Sequence, residues 1–108
     1  MTDELARDLG RLAEPALLVL TSLASGAKHG YAIMGDIASF SGAVIGPGTL
    51  YAVLARLERR GLIEPLPEDE RRRPYRLTTA GEQSLESQLN EIRHFASVGL
   101  ARLDGSPG

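Results

Sequence analysis

The chain has 108 residues, 43% hydrophobic and 24% charged, with net charge −2 and neither cysteine nor tryptophan. That length holds one domain with a single modest core, and the lack of cysteine excludes disulfides, thiolate metal sites and a cysteine nucleophile. The longest apolar run, Pro15 to Leu20, is far short of a membrane span, and the acidic start Met1-Thr-Asp-Glu-Leu5 is unlike a secretory signal, so a cytoplasmic location is expected.

Leu5, Leu9 and Leu12 fall at helical spacing and predict a first helix over residues 3–13. Pro15 suits the first turn of a second helix, Pro15 to Ala24, apolar almost all round and therefore expected to be buried. Gly26 ends it. A third helix is expected from about Tyr31 to Phe40, with Ile33, Ile37 and Phe40 as its inner stripe.

The fourth helix should begin near Pro47 or Thr49 and run to Arg60, closed by Gly61. Leu50, Val53, Leu54 and Leu57 make its inward face. The opposite face carries Gly48, Thr49, Ala52, Ala55, Arg56 and Arg59, small at its start and cationic toward its end. Small residues allow close approach to another surface, and arginines beside them reach phosphates or guanine edges. Arginines near a helix C-terminus also favour the helix dipole, which is the plainer reading of Arg56, Arg59 and Arg60.

Leu62-Ile63-Glu64 and Pro74 to Leu77 read as two short strands around a charged loop ending in Arg71-Arg72-Arg73. Leu62, Tyr75 and Leu77 are the expected core contacts. The three arginines either compensate Glu68-Asp69-Glu70 or face a polyanion. Between Gly46 and Leu77 the balance is +2, against −4 for the remainder, so a locally basic surface sits on an acidic body.

Thr79-Ala-Gly-Glu82 predicts a capping box opening a helix over 79–103. Leu85, Leu89, Ile92, Ala96, Gly99 and Leu103 form a heptad-like seam widened by Phe95. So long an apolar seam exceeds what one small domain covers, and an identical chain is the simplest partner. The tail 104–108 is expected to be disordered. His29 and His94 lie far apart without acidic neighbours at ligand spacing, so no metal is expected. Asp36 and Glu58 read as lone solvated charges. No nucleophile elbow or phosphate loop appears, and no enzyme activity or cofactor is expected.

The fold class expected is mainly α with a small β-hairpin: a winged helix-turn-helix core over 14–78 within a single domain, flanked by dimerisation helices at 3–13 and 79–103. His29-Gly30-Tyr31, Gly48-Thr49-Leu50-Tyr51, Leu54-Ala-Arg-Leu57-Glu58 with Gly61-Leu62-Ile63, and Arg72-Arg73-Pro74-Tyr75-Arg76-Leu77-Thr78 with Gly81 resemble the PadR family of bacterial regulators, in its small subfamily with a single C-terminal helix. The resemblance implies a homodimer repressing at a two-fold symmetric double-stranded DNA operator. It implies DNA contacts from Thr49 and Tyr51 on the recognition helix and from Arg72 and Arg73 on the wing. The outer face and the loop add Ala52, Arg56, Arg59 and Arg71.

The dimer interface would comprise Leu5, Leu9, Leu12, Leu85, Leu89, Ile92, Phe95, Ala96, Gly99 and Leu103. Some small members of the family hold flat aromatic molecules between tryptophans at the dimer centre. Here Phe95, with the gap at Ala96 and Gly99, is the nearest substitute, beside the reading of plain dimer packing; an effector stays open. The alternative function is a winged-helix protein-interaction module that touches no DNA.

Overall fold

The computed structural model describes residues 14–105; the expected first helix, with Leu5, Leu9 and Leu12, lies outside them, as do residues 106–108. Helix α1 spans Pro15–Leu23, with proline at its entry and Leu17, Leu18, Val19, Leu20, Ser22 and Leu23 all buried. Two extended residues, β1 (Lys28–His29), lead directly into α2 (Gly30–Ser41). Helix α3 runs Pro47–Arg59, then β2 (Ile63–Pro65), β3 (Pro74–Leu77) and the 25-residue α4 (Thr79–Leu103).

The sheet has three strands, not two, in the order β1-β3-β2, all antiparallel. Lys28 pairs with Tyr75 and His29 with Pro74, and Ile63 pairs with Leu77. Two residues are too few to show an alternating pattern, so β1 has no signature of its own. It is pinned by its partner strand.

The core gathers α1 with Ile33 and Ile37 of α2, Leu50, Val53, Leu54 and Leu57 of α3, Ile63 of β2 and Leu85 of α4. Burying such side chains is worth about 1.5–3 kcal/mol each, and α1, buried along most of its surface, is the hub. The inner face of α3 matches its sequence pattern. One of the core expectations needs correction, and the strand contacts hold. Phe40 is 47% exposed, because α2 ends at the next residue, Ser41, before a left-handed Gly42, and its last turn clears the core. The strand residue buried most deeply is Ile63, with Leu62, Tyr75 and Leu77 packed partly against the cluster.

Local chemistry fixes the joints. Helix α3 closes in a Schellman motif: Gly61, at φ +72, gives its N–H to Glu58, and the Leu62 N–H reaches back to the Leu57 carbonyl. The cap of α4 is Thr78, one residue earlier than the expected box. Its Oγ1 accepts from the Gly81 N–H at 3.0 Å and donates to the Gly61 carbonyl at 2.6 Å. This bond back to the α3 terminus draws the hydroxyl of Thr78, and not that of Thr79, into the capping position, which leaves Glu82 outside the box.

Gly81 is required by space. A Cβ there would lie 1.9 Å from the Leu62 carbonyl oxygen. Asp36 is not a lone charge, since its carboxylate accepts from the buried Ser22 hydroxyl at 2.7 Å. The Lys28 ammonium donates to the Ser22 and Gly26 carbonyls and to Ser25 Oγ, complementing the carbonyl end of α1. At the other terminus Asp104 and Gly105 form a hydrogen-bonded turn closing α4. No helix among the described residues is long and apolar enough to cross a membrane.

Candidate nucleic-acid interface

Turning Leu50, Val53, Leu54 and Leu57 inward leaves the opposite side of α3 in solvent. Thr49, Ala52, Arg56 and Arg59 are all exposed, as the helical period requires. Tyr51 stands between the two faces at 52% exposure. Its hydroxyl leans over the first residue of α2: a Cβ on Gly30 would sit 2.6 Å from Tyr51 Oη. Glycine at position 30 is what lets the tyrosine lie there.

The wing is the β2–β3 hairpin. Leu66 N–H donates to the Pro74 carbonyl at 2.8 Å, and Asp69 and Arg72 exchange two backbone bonds of 2.8 Å. The two residues between them, Glu70 and Arg71, both have positive φ, +48° and +67°. This is the hand of a type I′ turn, which matches the twist of the flanking strands and ordinarily takes Asn-Gly. Arg71 therefore occupies the tip, and Arg72 and Arg73 the returning limb.

All three arginines are exposed, but two are held. Arg72 Nη1 lies 3.1 Å from His29 Nε2, and Arg73 Nη1 donates to the Leu66 carbonyl at 2.7 Å. A guanidinium has five N–H groups, so each retains donors for another ligand. Arg76, by contrast, pairs across the strands with Glu64 at 3.0 Å, an exposed contact of little stabilising value that largely cancels its charge. Behind the wing, burial raises the Tyr75 hydroxyl above the usual tyrosine range, with Glu58 and Tyr51 adding to the effect and Arg73 opposing it. Tyr75 thus stays neutral, and it packs partly against the core cluster.

Sequence reasoning placed the arginines but took His29 and Gly30 only as part of a motif, without a place in the site; their importance lies in contacts with residues 43 and 21 positions away. Only the apposition of His-Gly at a helix entry with the small sheet gives them a role. His94 is exposed on α4. Among the described residues no cluster of three or more His, Cys, Asp or Glu is arranged to hold a metal.

Helix α4 presents a second surface. Its only buried residues are Gly81 and Leu85, near its start. Leu85, expected in the seam, is consumed in the chain's own core at 5% exposure, because the first two turns of α4 pack on α1 and β3. Ile92 is partly packed against that core. Around and beyond it several apolar residues stand in solvent: Leu89 is 43%, Phe95 81% and Leu103 87% exposed, and Ala96 and Gly99 are exposed.

Comparison with known proteins agrees with this architecture. Residues 19–87 match the transcriptional regulator PadR-like family. A PadR family transcription regulator from Clostridium difficile is 28% identical and superimposes with a TM-score of 0.73, covering 82% of this chain and 97% of that one. A transcriptional regulator from Clostridium thermocellum is 31% identical with a TM-score of 0.68, covering 77% and 86%. An uncharacterized 37.1 kDa protein in transposon TN4556 of Streptomyces fradiae is 44% identical over 86 residues, 80% of this chain and 25% of that protein. This chain therefore spans about a quarter of that relative's length. A three-helix core with a small antiparallel wing, a match over most of that core and solved structures of the same shape together make the chain a member of the PadR-like family of transcriptional regulators, which are not enzymes.

Proposed function

We propose that the protein is a cytoplasmic, sequence-specific DNA-binding regulator that acts as a homodimer on a two-fold symmetric operator, most simply as a repressor. The observation that carries this reading is the division of α3. Every large apolar residue on its inner stripe is buried, while Thr49, Ala52, Arg56 and Arg59 are left free in solvent. A helix of that character fits a major groove, with small residues where approach is closest and arginines at the margin. The wing supplies Arg71, Arg72 and Arg73 for the flanking backbone, and Tyr51, half exposed at the edge of α3, adds a further contact.

The exposed second half of α4 supports dimerisation. At ~1.5 Å per residue the 25-residue helix extends well past the core it touches, and Leu89, Phe95, Ala96, Gly99 and Leu103 need a cover that the described residues do not supply. A two-fold axis through such a seam would set two recognition helices about one turn of DNA, ~34 Å, apart.

Selection of bound duplexes from a random pool tests the function directly. The expected product is a palindromic motif with half-sites about 10 base pairs apart. A pool that never enriches, at low salt where phosphate contacts are strongest, would leave a protein-interaction module as the better description.

A further inference from the structure

The imidazole of His29 is asked to do two incompatible things. Its Nδ1 faces the Ala32 N–H at 3.3 Å, as the side-chain cap of α2, and its Nε2 faces Arg72 Nη1 at 3.1 Å. Both neighbours are donors, since an arginine has no acceptor, and a neutral imidazole has one acceptor nitrogen. The bond to the guanidinium is the shorter and is charge-assisted, hence the stronger. The tautomer that makes it places the ring proton on Nδ1, toward Ala32, and gives up the helix cap. A residue wanted only as a cap would be Ser, Thr, Asp or Asn.

The backbone around His29 makes it a firm seat. It pairs with Pro74 on β3, so its ring projects from the sheet that carries the wing. The next residue, Gly30, is buried under the Tyr51 hydroxyl. One dipeptide thus touches a side chain of α3 and a side chain of the wing, elements that contribute separately to the interface.

We propose that His29 is a positioning residue for Arg72: as a hydrogen-bond acceptor it fixes one edge of the guanidinium, so that the remaining N–H groups are presented to the nucleic-acid backbone without being ordered at the moment of binding. This rests on the DNA-binding reading above. Removing the seat returns the ordering cost of one long side chain to the binding step, a loss of about three- to tenfold in affinity.

His29→Asn separates the two roles, because asparagine is a better cap but too short to reach Arg72. Affinity for a random-sequence duplex at fixed low salt is measured by fluorescence anisotropy for the wild type, His29→Asn, Arg72→Ala and the double variant, with melting temperatures recorded alongside. The expected result is that His29→Asn weakens binding three- to tenfold while melting no lower than wild type, and has no further effect once Arg72 is alanine. Losses that add in the double variant, or no loss in His29→Asn, would overturn the proposal while leaving DNA binding intact. A wild-type protein that binds no duplex would overturn the DNA-binding reading, and this proposal with it.

Discussion

Two helical glycines should respond to the same substitution with opposite sign. At Gly81, in the first turn of α4, a Cβ would lie 1.9 Å from the Leu62 carbonyl oxygen and 2.9 Å from its carbon. Ordinary contact begins at 3.4 Å, so a gap of about 1.5 Å must open. The obstruction is backbone, and that same carbonyl accepts the Thr78 N–H at 3.1 Å, so no rotamer change relieves it. Overpacking costs about 1–3 kcal/mol, and Gly81→Ala belongs at the upper end. At roughly 4–8 °C per kcal/mol for a domain of this size, it should lower the melting temperature by about 12 °C or more. Gly35, in the middle of α2, has nothing within 4 Å of its added Cβ. Gly35→Ala should gain about 0.5–1 kcal/mol of helix propensity and melt about 2–8 °C higher. Both are read by circular dichroism at one protein concentration, since dimerisation makes melting depend on concentration. A Gly81→Ala variant that melts at or above wild type would refute the close packing of α4 on the α3–β2 joint.

Phe95→Asp with Leu103→Asp, both far from the chain's own core, should give a folded monomer by sedimentation; a dimer of unchanged affinity would remove the second half of α4 from the interface. Thr49→Ala and Arg56→Ala should each shift preference among selected sites by about 1–3 kcal/mol at the base pair they read, and a uniform loss across all sites would mark them as backbone contacts. At the wing tip, replacing Glu70-Arg71 with Asn-Gly relieves two left-handed residues worth roughly 1 kcal/mol or more each. Its melting temperature should rise by several degrees, and a fall would mean that the tip is not a type I′ turn.

Helix periodicity made most of this fold legible. The inner face of α3 repeats at three and four residues and is buried as that pattern demands, and the exposure of its arginines follows from the same wheel. Gly61 was readable as a helix stop because a left-handed C-terminal residue has a strong chemical signature. What was not legible depends on pairing between distant segments. Strand β1 exists because β3 lies beside it, the cap shifts to Thr78 because Gly61 offers its carbonyl, and Leu85 leaves the seam because α1 and β3 cover it. The positive φ values at Glu70 and Arg71 had no turn residue to announce them; two-residue closure of the hairpin imposes them. In the candidate site, charge and helical face located the arginines, whereas the seats beneath them, His29 and Gly30, appear only once α2, α3 and the wing meet.

The most direct test of the central claim is the salt dependence of duplex binding, wild type against Arg72→Ala with Arg73→Ala. For a protein that grips phosphates the logarithm of the binding constant falls linearly with log salt, with a slope of about 0.9 per contact. The wild type should show a steep slope, and the double variant one flatter by about 2 per half-site. Equal slopes, or binding indifferent to salt in the wild type, would contradict an interface built from α3 and the wing.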